Sequence, residues 1–286
     1  MPFQRTLDLV TVVYEQEIPL LKTQALSMSL RFQPGQVNRI IILVNDHPSV
    51  VEQIEHSWFG HHSDRVRIMT QRSFDYKPRR GVSGWSSQQL MKLLGVAASD
   101  ADWCLVLDAK TWFVKDYSEE LLFKDDKARF GWDDVQETFR TGLRYTKSLF
   151  FSNFIEEKSL GPLGVPFLMK PSVVREMMGR LERLSDQSFV DWFEINCSLA
   201  GNAVTEFTCY SAYVSHAYPD DTLYAGDQII SVHNLADWQI GEFDDWYSSI
   251  LDPSAFTVSI QDRAVPLLTD KQWSRWQIFL RQRGLA

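Results

Sequence analysis

DWCLVLDAKTWFV, residues 102–114, is the stretch on which the fold turns. Five residues, Trp103 to Leu107, make an unbroken apolar run, the length and character of a buried strand. The run stops at Asp108, and Lys110 follows two residues later. Immediately upstream, GWSSQQLMKLLGVAAS (84–99) sets Leu90, Leu93, Leu94 and Ala97 on one helical face. The same alternation runs back to the start of the chain. LDLVTVVY (7–14), VNRIIILVND (37–46) and DRVRIMT (64–70) are strands, and IPLLKTQALSMSLRF (18–32) is a helix with Pro19 in its first turn. PSVVEQIEHSWF (48–59) reads as a further helix. Strands and helices in this rhythm predict an α/β, Rossmann-type, mostly parallel sheet flanked by helices.

After residue 115 the pattern becomes mixed and more helical. VPFLMKPSVVREMMGRLERL gives a strand and then a helix opening at Pro171; FVDWFEINCSLA and TEFTCYSAYVSHAY give two more helices. No internal repeat, low-complexity run or Gly/Ser linker interrupts the chain. The reading is one domain over 1–286, with a ligand-binding half (1–115) and a helical or mixed second half (116–286).

Bulk composition narrows the function classes. The 286 residues carry a net charge of −8 without a basic block, so the clustered cations of a nucleic-acid binder are missing. Three cysteines without metal-type spacing give neither a disulfide framework nor a zinc site, which suits a reducing cytoplasm. The first residues lack the long apolar stretch of a signal peptide, and no run approaches the ~20 residues of a membrane span. The expectation is a cytoplasmic protein, at most seated on the inner face of a membrane.

In open parallel sheets, ligands bind beyond the carboxyl ends of the strands. The residues that end the apolar runs are therefore the candidates: Thr11, Val13 and Tyr14 after the first, Asn45 and Asp46 after the second, Asp108 to Lys110 after the fourth. Asn and Asp also favour turns and helix caps, so each could be structural. On helix 84–99, Trp85, Gln88, Gln89 and Lys92 share the face opposite the leucines, with Arg79 and Arg80 just ahead. A cation beside amides and an indole could hold a diphosphate and a sugar; an ordinary solvated face would look the same.

The order of these pieces resembles the GT-A glycosyltransferases, which use nucleotide-sugar donors. DLVTVVY opens the fold, IIILVND is the second strand, GWSSQQLMKL precedes the metal-motif strand, and VLDAKTWFV stands in place of the DxD motif. Within that class the chain is similar to a bacterial GT-A-like group with a GW..QQ..KL helix, an LD.D strand, a later (S/T)E(F/Y)..Y helix and an SVH stretch. The last two read TEFTCY (205–210) and SVH (231–233) here. The resemblance covers residues 7 to about 235. It implies that Thr11, Val13 and Asp46 face the base and ribose, that Asp108 is the first Asp of DxD, that Glu206 is the acceptor's general base, and that His233 completes a metal site. The activity implied is transfer of a sugar to a hydroxyl of a glycan or glycolipid acceptor, with inversion if a Glu base drives direct displacement.

Lys110 departs from that pattern. A protonated Lys has no lone pair and cannot ligate a metal. With Asp108 and His233 alone, a divalent Mn or Mg ion would be held weakly, helped by phosphate oxygens. Three readings stay open. Lys110 could replace the metal by stabilising the leaving diphosphate; it could point to solvent; or the site could have lost catalysis and become a glycan- or nucleotide-binding module. A nucleotidyltransferase would be expected to carry a Gly-rich phosphate loop soon after the first strand, and VYEQEIPLL has no Gly. Asp191 and Glu194 are the next carboxylates in line for the base.

The chain ends in TDKQWSRWQIFLRQRGLA, a helix capped by Thr269 or Asp270. Trp273, Trp276 and Leu280 fall on one stripe bordered by Lys271, Arg275, Arg281 and Arg283. Such a helix could lie in the plane of an anionic membrane surface, or its tryptophans could pack on their own domain.

Overall fold

The computed structural model describes residues 5–150, 158–161, 164–218, 223–226, 232–261 and 263–286. Ser231 of the SVH stretch lies outside them. The chain runs β1 (Leu7–Val13), α1 (Ile18–Arg31), β2 (Arg39–Val44), β3 (Val66–Thr70), α2 (Gly84–Ala97), β4 (Trp103–Asp108), β5 (Thr111–Phe113) and α3 (Glu119–Leu122). Four short strands and a helix follow: β6 (Phe123–Lys124), β7 (Lys127–Ala128), β8 (Trp132–Asp134), α4 (Glu137–Phe150) and β9 (Lys158–Leu160). The remainder is β10 (Phe167–Met169), α5 (Pro171–Ser185), α6 (Phe189–Glu194), α7 (Glu206–Ala217), β11 (Val232–Leu235), α8 (Phe243–Ile250), β12 (Thr257–Ile260) and α9 (Asp270–Gln282).

The main sheet has the order β10-β4-β1-β2-β3, parallel except at β10. β1 and β2 are buried almost throughout, which explains runs of Val, Ile and Leu rather than alternation. The chain winds from β1 outward through β2 to β3, then returns to β4 on the other side of β1. A crevice opens at that reversal, beyond the carboxyl ends of β1 and β4. A second sheet, β11-β12-β5, packs beside it. β5 comes from the first half of the sequence, while β10 from the second half completes the main sheet. The division at residue 115 therefore coincides with neither sheet.

Two expectations are corrected. PSVVEQIEHSWF is not an α-helix but two 3-10 segments, Pro48–Gln53 and His56–Arg65, parted by extended Ile54. Gly60, at φ 53, breaks the second, and a Cβ there would strike the Ser29 hydroxyl. FVDWFEINCSLA is α-helical only over α6; Ile195–Leu199 widens into a π turn.

The α9 stripe is only partly a surface. Trp276 and Leu280 are buried, and Trp276 stacks on Trp112 at 5.4 Å within a second core of Phe243, Trp246 and Ile260. Arg275 pairs with Asp244, and Arg283 donates to the Val114 carbonyl at 3.3 Å. Two of the three stripe residues thus pack on their own domain, the second of the two readings, while Trp273 of the stripe and the neighbouring Ile278 stay outside. No helix among the described residues is long and apolar enough to cross a membrane.

Candidate active site

The turn that carries Lys110 is fixed from below. Gln24, fully buried on α1, donates to the carbonyls of Asp108 (2.7 Å) and Thr111 (2.8 Å) and so clamps the two ends of the turn between β4 and β5. β4 delivers Asp108 into the crevice, and the chain then leaves for the second sheet, with Lys110 at the bend. α2 is covered on both sides. Its leucines meet the sheet, and its polar face meets α6 and α7. That polar face is therefore neither solvated nor free: Lys92 and Gln89 are buried, while Trp85 at its start is 50% exposed.

Together these elements enclose a cavity of about 810 Å3 whose walls include Tyr14, Glu17, Trp85, Gln88, Gln89, Lys92, Asp108, Lys110 and Glu206. Its centre is a buried ion triad. Lys92 Nζ lies 2.8 Å from Asp108 Oδ1 and 3.1 Å from Glu206 Oε1. Gln88 Nε2 donates to the same Asp108 oxygen at 3.0 Å. The Gln89 amide is oriented by its neighbours: its oxygen accepts from the Trp85 indole at 3.2 Å and its nitrogen donates to the Glu206 carboxylate. Glu206 opens α7, where Thr205 caps the helix by accepting from Thr208 N at 3.1 Å.

Burial and charge act against each other here. Burial disfavours the Lys92 ammonium, but Asp108 and Glu206 outweigh it and hold its pKa above the usual lysine value. Burial would raise Asp108 too, yet Lys92 and Lys110 keep it below the usual carboxylate range. Glu206 goes the other way: with 0% of its surface exposed, burial lifts its pKa and Lys92 offsets only part of that. Two carboxylates flank one ammonium, one held ionised and one made more basic. Lys110 sits 3.8 Å from Glu17 on the same wall. It lines the cavity and is 20% exposed.

Several predicted residues lie elsewhere. Thr11 and Val13 are closed inside the sheet, and Thr11 Oγ1 donates to the Leu107 carbonyl at 3.4 Å. Asn45 is a strut: it donates to Tyr14 Oη at 2.8 Å and accepts from Gln71 at 2.8 Å. Asp46 accepts from the Glu15 and His47 amides, at 3.1 and 2.7 Å, and shapes its own loop. Only Tyr14 of the first two strand ends reaches the cavity wall; burial, countered by the Asn45 hydrogen bond, pushes its hydroxyl up to about 12. Arg79 pairs with Asp191 and, at 3.6 Å, with Glu194, which also accepts from Tyr76 at 2.8 Å. Neither that Arg, nor Arg80, nor the two reserve carboxylates line the cavity.

The donor set does not suit a divalent ion. One Asp108 oxygen already takes Lys92 and Gln88, the cation of Lys110 lines the same wall, and His233 lines a different hollow. Among the described residues no three His, Cys, Asp or Glu side chains gather where an ion could sit. The pairing of Asp108 with His233 is not one the fold makes. Conversely, sequence reading missed Glu17, Arg263, Asn234 and Trp238, all on the wall. Arg263 is exposed and pairs with no carboxylate among the described residues. Only Gln24, a lone amide on the apolar face of α1, left a trace that a sequence could show.

A four-strand parallel order with its crevice beyond β1 and β4, joined to a smaller second sheet, defines a GT-A-like α/β fold. Two solved structures are similar to the chain. The galactosyltransferase LgtC, in complex with donor and acceptor sugar analogues, is 13% identical with a TM-score of 0.49 over 97% of this chain and 95% of that one. An active-site mutant of LgtC is 14% identical with a TM-score of 0.50 over the same shares. At such identity the likeness concerns the fold. The chain itself belongs to DUF6492, a family of unknown function that matches residues 9–250. A search of curated proteins finds no match.

Proposed function

We propose that the protein is a glycosyltransferase that moves a sugar from a nucleotide-sugar donor to a hydroxyl of a glycan or glycolipid acceptor, on the cytoplasmic side. The observation that carries this reading is the Asp108–Lys92–Glu206 triad in one cavity with Lys110, at the switch point of the sheet. The cavity's volume falls in the range of small-ligand sites, roughly 300–1,000 Å3. Its wall offers cations for a diphosphate in Lys110 and Arg263, and indole faces for a base or sugar in Trp85 and Trp238.

In this reading the acceptor oxygen attacks the anomeric carbon of the donor while the bond from that carbon to the diphosphate oxygen breaks. The hydroxyl proton passes to Glu206, whose basicity burial has raised. The electron pair leaves on the diphosphate, where Lys110 and Arg263 meet the growing charge. One displacement inverts the anomeric carbon. Lys92 and Gln89 hold Glu206, and Lys92 and Gln88 hold Asp108, so both carboxylates are positioned before substrate arrives. The poor donor set for a metal supports a cation-assisted, metal-independent departure.

A non-catalytic glycan- or nucleotide-binding module is the second reading, favoured by one feature: Lys92 already engages both carboxylates. Thermal shifts across nucleotides and nucleotide sugars, with and without Mn2+, test binding. Release of free nucleotide diphosphate in the presence of glycan acceptors tests transfer. Stabilisation by a nucleotide sugar with turnover supports the transferase; stabilisation without turnover for any acceptor supports the module.

A further inference from the structure

Two tryptophans line the cavity, Trp85 and Trp238, and they are 50% and 77% exposed. Among the described residues neither carries a stacked ring or cation. The buried tryptophans are packed otherwise: Trp112 and Trp246 both meet Trp276, and Trp103 and Trp192 meet other rings. A singly exposed indole needs no explanation by itself. What sets Trp85 apart is that its ring is fixed. Its indole N–H donates to the Gln89 oxygen at 3.2 Å, one turn along α2, and the nitrogen of the same amide donates to the Glu206 carboxylate. One amide therefore ties the ring to the carboxylate. The N–H edge is spent, so what remains for a ligand is the carbon surface of the ring.

Such a surface takes the C–H face of a pyranose or the face of a nucleobase. Position and chemistry choose between them. In a single displacement the acceptor oxygen and the leaving oxygen lie on opposite sides of the anomeric carbon. Glu206, as the acceptor's base, marks the acceptor side. Lys110 and Arg263, as the diphosphate's cations, mark the other, and the nucleobase lies beyond the diphosphate. Trp85 is joined to Glu206. The turn that carries Trp238, Asp237–Glu242, instead packs against Val265–Leu267, the turn that follows Arg263. A base also needs its polar edge read, and the nearest amides are occupied: Gln89 at both ends, and Gln88 as donor to Asp108. Lys92 is held between Asp108 and Glu206, so no free cation stands beside the ring for an anionic ligand.

We propose that Trp85 is the platform of the acceptor subsite: the C–H face of one neutral pyranose stacks on its indole, and the stack turns a hydroxyl of that ring toward Glu206. The inference rests on the transferase reading and narrows its substrate class. The reacting unit is a pyranose with an unbroken face of axial C–H bonds, as in β-glucosides and β-galactosides. An acidic sugar would set its carboxylate beside Glu206 and Asp108 and is disfavoured.

The test follows the Trp85 indole resonance of the 15N-labelled full chain, assigned with Trp85→Phe, while methyl β-galactoside, methyl β-glucoside or methyl N-acetyl-β-glucosaminide is added. The platform predicts a saturable shift for at least one of them. Trp85→Leu keeps an apolar side chain without the ring. It should weaken that pyranoside about 3- to 10-fold by ligand-observed NMR, while nucleoside diphosphate binding, read by thermal shift, stays within a factor of about two. A resonance that no pyranoside moves overturns the proposal. So does a Trp85→Leu variant that keeps pyranoside affinity and loses nucleotide affinity, because the ring then carries the base. If that variant fails to fold, the wild-type titration decides by itself. Pyranoside binding without binding of any nucleotide or nucleotide sugar would remove the transferase reading and leave the stacking intact; nucleotide binding beside an indole that no pyranoside moves would remove the platform alone.

Discussion

Glu206 is the residue on which chemistry and pH converge. Glu206→Gln keeps the shape and removes the base, so turnover should fall on the order of 10²–10⁴-fold while donor affinity stays nearly unchanged. Steady-state kcat beside a binding titration measures both. Its raised pKa also sets a sign. Glu206 must be ionised to accept a proton, so the acidic limb of kcat should lie above the ordinary Glu value of about 4.3. Lys92 lowers that pKa, so Lys92→Gln should move the limb to still higher pH. For stability the signs differ between the two carboxylates. Glu206, raised in the folded state, contributes below its unfolded pKa and loses that contribution as pH rises through the folded value. Asp108, lowered, contributes above its unfolded pKa and loses it as pH falls. Urea midpoints against pH for Lys92→Met, which leaves a buried charge unpaired, should show a penalty of about 3–5 kcal/mol near neutrality.

Elements hold that residue in place. α4 packs against α7, and Gly142 on α4 touches the segment that leads into Glu206. A Cβ at Gly142 would stand 2.1 Å from the Ala203 carbonyl oxygen, so the backbone must move. Gly142→Ala should therefore cost about 1–3 kcal/mol despite its better helix propensity, and should lower kcat by displacing the start of α7. Denaturant melts and turnover check the pair of effects. At the other end of the chain, Trp276→Ala should cost about 3–5 kcal/mol because it empties the second core, whereas Trp273→Ala should stay within about 0.5 kcal/mol. Full-length protein should not sediment with anionic vesicles beyond its level with neutral ones, since Trp276 and Leu280 are committed inward.

The whole molecule sets how the cavity meets its ligand. A net charge of −8 surrounds a site whose wall sets Lys92, Lys110 and Arg263 among Glu17, Asp108, Glu206 and Asp237, so the proposed anionic donor would have to be held by the individual cations of Lys110 and Arg263 rather than by the global field. If Lys110 supplies the charge that a metal would, as proposed, a chelator should leave donor-induced thermal stabilisation and turnover within a few-fold of their values in Mn2+. Complete loss in chelator with rescue by Mn2+ would overturn the role given to Lys110.

The alternation of buried strands with amphipathic helices fixed the α/β architecture, because periodicity is a local property written directly in the residues. Asp108, Lys110, Gln88, Gln89 and Lys92 were legible as candidates because polar residues interrupt apolar runs at strand ends or share a helix face, whereas Glu206 stood out only through the family resemblance. Their meeting was not legible. That Lys92 joins Asp108 to Glu206 depends on α2 and α7 packing across residues 114 apart. That Thr11, Asn45 and Arg79 serve structure depends on partners that a single chain position does not reveal. The strand-end rule failed for Thr11 and Val13 because the sheet closes over them before the crevice begins. Glu17, Arg263 and Asn234 carried no pattern of their own. Periodicity declares which face of an element is apolar; only the packed fold decides which polar groups then share one cavity and one low-dielectric field.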